Sequence, residues 1–242
     1  MKLYISLDDT DNKESFGTGK MARILAESLE GRGLVRHASI TRHQFLIHPD
    51  IPYTSHNSCA CIEADGEMAD VPRIFDSARD FLLAHFHTDA NPGLCVREGE
   101  GVPEELVAFG RRAQREVIAI EEARRLAERL GLLAWWHGET GQGIIGAMGG
   151  IGLRSTRNDG RFIGMEGIRE IKGLVNVTEI LEKTPITKVV TANGDRLGGS
   201  EAVNTLDWVR PDLVEGEIVL FVLKEEGEWR TLEKEKRKKK SS

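Results

Sequence analysis

The sequence predicts a mixed α/β protein. A larger α/β lobe spans residues 1–170, a smaller α+β lobe spans 171–233, and a basic tail covers 234–242. Three observations lead there. The chain opens on a short apolar strand that runs through an acidic turn and a glycine loop into an amphipathic helix. Strand-like and helix-like periodicities then alternate as far as a glycine-dense stretch at 138–152. Beyond Gly173 the texture changes to short apolar runs separated by turn residues.

The elements follow in order. Leu3-Tyr4-Ile5-Ser6-Leu7 is a buried first strand, stopped by the turn-forming Asp8-Asp9-Thr10-Asp11. From Thr18, the residues Met21, Ile24, Leu25 and Leu29 recur at helical spacing, and Gly31 to Gly33 closes that helix. Strands are predicted within Val35–Ile47 and Asn57–Glu63, on either side of the polar, proline-containing loop 48–56, a site wall of the kind loops supply. A helix through Ile74, Ala78 and Leu82 comes next. The strand Leu94–Val96 follows Asn91-Pro92-Gly93, and a single long helix is predicted over Glu104–Leu130. Leu132–Trp136 is a strand leading into the glycine-dense region. Later strands are predicted at Ile186–Ala192, Glu217–Leu223 and Trp229–Leu232, which makes the second lobe rich in hairpins, and the tail Lys234–Ser242 is expected to be disordered.

Composition bounds the function. With 40% hydrophobic and 30% charged residues the chain is that of a globular protein, and its net charge of −6 would repel phosphate at long range, so nucleic-acid binding must rest on a local patch. No signal-like or membrane-spanning run is present in the sequence, and the expected location is the cytoplasm, away from membranes. Cys59, Cys61 and Cys95 are too few and too oddly spaced for a disulfide framework. Buried strand cysteines are the favoured reading and a metal site the alternative.

Four motifs carry chemistry. Asp8, Asp9 and Asp11 gather carboxylates where the first strand ends, and magnesium takes one or two carboxylates together with substrate phosphates, so these acids are the candidate catalytic and metal-binding residues. Packing them together costs repulsion unless a cation compensates. Gly17, Thr18, Gly19 and Lys20 open the first helix, where backbone amides attract phosphate. This is no Walker A loop, because Glu14 and Met21 stand where that motif needs glycine and a hydroxyl residue. Gly141, Gly143 and Gly146 spell GxGxxG, with Glu166 further on. Here a dinucleotide site, a different phosphate cradle and close helix packing all remain open. Tyr53, Ser55, His56 and Asn57 bring short polar groups together and are the candidate substrate contacts.

Several of these stretches also resemble one family in the same order. Ile5-Ser6-Leu7-Asp8-Asp9-Thr10-Asp11, then Ile51 to Asn57, Asn91-Pro92-Gly93 and Gly143 to Gly152 are together similar to the archaeal isoleucine-tRNA agmatinylcytidine synthetases, over the first two thirds of the chain. The resemblance implies a kinase-like domain joined to a ferredoxin-like one, and use of ATP and agmatine to modify an anticodon cytidine through a phosphorylated intermediate. It places Asp8, Asp9 and Asp11 at an ATP-magnesium centre. Family members continue into an OB-type domain and a zinc ribbon, whereas this sequence has a lysine-rich tail after Leu232 and no paired CxxC. Loop 53–57 also replaces a more basic version. The expectation is therefore an ATP- and magnesium-dependent transferase or ligase of the tRNA-processing type, with a small amine, a nucleoside or tRNA as acceptor. The alternatives are a non-catalytic nucleotide- or RNA-binding module that works with a partner chain, and a Rossmann-type dinucleotide binder.

Overall fold

The structure is a computed structural model that describes residues 1–12, 17–54 and 56–232. The tail and Ser55 lie outside the described residues. The chain divides into two compact units, Met1–Thr156 and Arg157–Ser242, ahead of the 170/171 boundary read from sequence texture.

The first unit begins β1 (Lys2–Asp8), α1 (Thr18–Gly31), β2 (Arg36–Gln44), β3 (Ser58–Asp65), α2 (Val71–His85) and β4 (Gly93–Glu98). It continues with α3 (Glu104–Ala113), α4 (Ile120–Arg129), β5 (Leu133–Trp136) and α5 (Gly143–Ser155). Its sheet order is β5-β4-β1-β3-β2, and every pairing in it is antiparallel. Each of the first two helices connects strands that have one other strand inserted between them, so β1 to β4 form a ferredoxin-like split βαβ pair. That pattern belongs to the first unit, whereas the second unit matches the hairpin-rich expectation. Strand β5, which precedes Gly141, pairs antiparallel with β4, and no described strand after α5 lies parallel beside it. The adjacent βαβ crossover on which a Rossmann site is built is therefore missing at Gly141 to Gly146, against the dinucleotide reading.

Alternation along β1 assigns the two faces of the sheet. Leu3, Ile5 and Leu7 are wholly buried on one face. Tyr4 and Ser6 point to the other, where Tyr4, Cys59, Cys61 and Cys95 form a core with residues of α3, α4 and α5. Register puts Ser6 opposite Cys61 on one side and Cys95 on the other. These small side chains meet a helix with equally small ones. A β-carbon at Gly150 would lie 2.4 Å from Ser6 Oγ and 2.5 Å from Cys59 Sγ, and one at Gly146 would lie 1.8 Å from Asp8 Oδ2. Glycines that weaken an exposed helix are here what lets α5 lie against the sheet, and burial offsets their low propensity. The three thiols are enclosed under that helix, and burial pushes the Cys95 thiol up to about 12 and Cys61 upward as well.

The single helix expected over Glu104–Leu130 is broken. Helix α3 stops at Ala113 and α4 starts at Ile120. The carbonyl of Ala113 accepts Leu46 N–H at 3.1 Å, Gln114 Nε2 donates to the Gln44 carbonyl at 3.2 Å, and Arg112 bridges across the break to Glu116 and Glu122. Tertiary anchoring to the end of β2 thus overrides local periodicity.

The second unit contains β6 (Arg161–Gly164), β7 (Leu174–Asn176), α6 (Val177–Lys183), β8 (Lys188–Thr191), β9 (Ala202–Asn204), β10 (Asp212–Val214), β11 (Glu217–Glu225) and β12 (Glu228–Thr231). Its strands run in the order β6-β10-β11-β12-β9-β7, with β8 parallel to β11. Glu215-Gly216 and Glu226-Gly227 join the two hairpins with positive φ at both residues, the geometry of a two-residue turn that matches strand twist. Phe162, Ile180, Val203, Leu220 and Val222 fill its core. No described helix in the chain is long and apolar enough to cross a membrane.

Candidate functional site

Strand β1 delivers Asp8 at its last position, and the chain then turns sharply at Asp9, whose φ is 52°. Aspartate is among the few side chains that adopt this left-handed conformation at modest cost. The turn is organised by hydroxyl groups. Thr10 Oγ1 donates to Thr18 Oγ1 at 3.2 Å, Thr18 Oγ1 donates to Asp11 Oδ1 at 2.8 Å, and Thr54 Oγ1 donates to Asp11 Oδ2 at 3.2 Å. Asp11 therefore ties the acidic turn to the start of α1 and to the loop before β3. Asp9 is held from the opposite side, where Gln142 Nε2 donates to its Oδ2 at 3.0 Å and to the Pro52 carbonyl at 3.4 Å.

The glycine loop ahead of α5 is fixed by Asn91, whose carbonyl accepts Gly143 N–H at 3.0 Å and whose Oδ1 accepts Thr140 N–H at 2.8 Å. Gly93 and Gly143 pack backbone to backbone, since a β-carbon at Gly93 would lie 2.0 Å from the Gly143 carbonyl carbon. Two motifs far apart in sequence thereby meet at the same point beside Asp8.

Around these groups lies a cavity of about 380 Å³, lined entirely by residues of the first unit. Of the residues singled out in the sequence, Asp8, Asp9, Asp11, Thr18, Tyr53, His56, Asn57, Gly143 and Gly146 line it. Gly17, Gly19, Lys20 and Gly141 do not, and Ser55 is outside the described residues. Ile51 belongs to the loop read as a site wall, but the sequence reading missed the rest of the apolar wall, Phe45, Val117, Ile118 and Ile120, and it missed Gln142. The run Val117-Ile118-Ala119-Ile120 is the available signal for that wall. The long predicted helix hides it.

Electrostatics set the chemistry of the acidic end. Burial among protein atoms, reinforced by the charges of Asp9 and then Asp11, holds the Asp8 carboxyl well above its usual range. Asp9 is raised too, by burial first, and its hydrogen bond from Gln142 opposes the shift. Carboxylates that repel one another in this way bind a hard cation favourably, because the cation removes the repulsion. Among the described residues, no three acidic, histidine or cysteine side chains surround a common point. Both Asp11 oxygens are engaged by hydroxyl donors. The donor set thus suits a magnesium shared between Asp8, Asp9 and ligand phosphates, and does not suit an all-protein cage of three aspartates.

No protein-family model matches the chain. A stretch of 167 residues is 32% identical to TiaS of Pyrococcus horikoshii, a 2-agmatinylcytidine synthetase of isoleucine tRNA, covering 63% of this chain and 36% of that protein. The TiaS of Archaeoglobus fulgidus is 27% identical over 155 residues, again 63% of this chain and 36% of that protein. The chain is similar to part of TiaS. It spans about a third of the length of the curated TiaS proteins it matches. The structure agrees with the sequence: a crystal structure of TiaS in complex with isoleucine tRNA and ATP shares the fold with a TM-score of 0.54 and 26% identity, over 63% of this chain and 36% of that one. An apo TiaS crystal structure gives the same TM-score at 25% identity, covering 63% of this chain and 35% of that one.

Proposed function

We propose that the first unit binds magnesium-ATP in this cavity and catalyses phosphoryl transfer or an ATP-driven ligation of the TiaS kind, on an acceptor smaller than tRNA or one presented by a partner chain. The observation that carries the reading is the cluster of mutually repelling carboxylates in the wall of a cavity, in a chain similar to a protein solved with ATP and isoleucine tRNA.

Asp8 and Asp9 are the residues that would hold magnesium. Once bound, the ion supplies charge neutralisation and alignment of phosphate oxygens. Asp11 keeps the turn, α1 and loop 45–57 in register through Thr18 and Thr54. Asp9 is aimed by Gln142, and its alternative role, in place of ligating the ion, is to orient an attacking hydroxyl or amine, since a bound cation would lower the carboxyl pKa that burial raises. Tyr53, His56 and Asn57 face the acceptor from the loop. Phe45, Ile51, Val117, Ile118 and Ile120 line the remaining wall with apolar surface, which keeps water from competing as nucleophile.

The test is a turnover screen of the purified chain with magnesium-ATP against amines, nucleosides and tRNA, in which ADP and AMP are read separately. ADP or AMP formed only with an acceptor, and lost in Asp9→Asn, supports the reading. Magnesium-dependent ATP binding without turnover on any acceptor would leave a binding module that acts with a partner chain. Equal ATP affinity in magnesium and in EDTA would remove the metal role.

A further inference from the structure

The cavity lining carries carboxylates at Asp8, Asp9, Asp11, Asp50 and Glu116 and, among the described residues, neither lysine nor arginine. A polyphosphate entering such a pocket is best held by donors backed by positive charge, and the lining has hydroxyl and amide donors but no lysine or arginine to supply that charge. One donor is prepared from behind the wall. Register on the β2-β3 ladder pairs Gln44 with Ser58 and Arg42 with Ala60, so Arg42 and Ser58 are diagonal neighbours on one face, within reach of a long side chain. Arg42 Nε–H donates to Ser58 Oγ at 2.8 Å, and Ser58 lines the cavity.

A serine hydroxyl offers one hydrogen and accepts through its lone pairs. With a lone pair engaged by the guanidinium, Ser58 keeps its hydrogen for a different acceptor, and the positive charge behind it strengthens that donation. Arg42 Nη2 is buried without a hydrogen-bond partner among the described residues, so no contact at that nitrogen competes with the bond from Nε to Ser58. Burial pulls the Arg42 pKa below its ordinary value, but a guanidinium remains charged in a protein.

We propose that Ser58, oriented and polarised by Arg42, is a phosphate-binding donor of this cavity, contacting a phosphate oxygen of the nucleotide. Ser58 touches the ligand, and Arg42 is a positioning residue that acts through it. The proposal rests on the nucleotide reading above and adds a residue pair to it that has no carboxylate, glycine loop or lysine.

Calorimetric titration of the full chain in magnesium, with ATP and with inorganic tripolyphosphate, tests it. Wild type should bind both, or ATP alone if the nucleoside is needed for affinity. Ser58→Ala should weaken phosphate binding about tenfold, the worth of one charge-assisted hydrogen bond. Ser58→Thr, which keeps a hydroxyl, should retain the affinity. Arg42→Lys keeps a charge but has no Nε–H, and should lose a similar factor. In the double variant Ser58→Ala/Arg42→Lys the loss should not exceed that of Ser58→Ala, because without the hydroxyl Arg42 has nothing to orient. Unchanged affinity in Ser58→Ala, or losses that add in the double variant, would overturn the pair while leaving the nucleotide reading in place. Wild-type protein that binds neither ATP nor tripolyphosphate overturns both.

Discussion

Asp8→Asn is expected to stabilise the ligand-free protein at neutral pH and to flatten the dependence of its stability on pH. Burial and the neighbouring charges hold the folded-state Asp8 carboxyl well above its usual range. Between the ordinary and the raised value the folded chain carries a proton that the unfolded chain has released. Stability from this group is therefore greatest below the unfolded pKa, about 4, and falls as pH rises toward the folded value. The slope cannot exceed about 1.4 kcal/mol per pH unit for one group. Asp8 borders the cavity, and water there screens it and keeps the slope below that ceiling. In a domain of this size ~1 kcal/mol moves Tm by about 2–4 °C, so the wild type should lose up to roughly 3–5 °C per pH unit across the window. Melting curves from pH 4 to 8 in EDTA check this. The mutant advantage should be near zero at pH 4, grow with pH, and shrink when magnesium-ATP is added, since a bound cation lowers the carboxyl pKa. Parallel curves, or a mutant less stable than wild type at pH 8, would refute the argument.

Asp9→Asn should abolish ATP-dependent turnover while leaving the apo Tm unchanged or slightly higher, because asparagine also tolerates the left-handed φ of 52°; a mutant clearly less stable yet fully active would contradict the assignment. Gln142→Ala removes the donor that lowers the Asp9 pKa, so the acidic limb of the pH-rate profile should move to higher pH, and loop 48–57, released at Pro52, should be cut faster by a protease. An unmoved acidic limb would argue against a proton-transfer role for Asp9. Gly150→Ala places a methyl 2.4 Å from Ser6 Oγ and should cost about 1–3 kcal/mol by denaturant titration, with partial recovery when Ser6→Gly is added. Simple additivity of the two changes would show that α5 is not seated by this contact.

Much of the first unit was legible because its elements obey local periodicity. Leu3 to Leu7 and the Met21 to Leu29 stripe each carry their burial pattern in the sequence, and both fold as expected. The acidic turn was legible because carboxylates clustered at a strand end are hard to explain by packing. The break at 114–119 was not legible, since the contacts that stop α3 come from Gln44 and Leu46, on a strand far away in sequence. Three-residue strands such as β7, β9 and β10 are too short to show a period at all. The glycines of α5 were ambiguous for a related reason. A glycine says that something comes close, and only the fold says that here it is Ser6, Cys59 and Asp8 rather than a phosphate.

Gly146 lying against the Asp8 carboxyl also bears on when the site comes into being during folding. The aspartates occupy the first strand and its turn, yet the surface that confines Asp8 and the amide that aims Asp9 arrive with residues 142–146, after most of the unit has been traced. Contacts of such sequence separation form late, because loop closure precedes their reward. A nascent or cleaved chain that ends before α5 would carry the whole acidic motif and still lack the pocket that gives it a purpose.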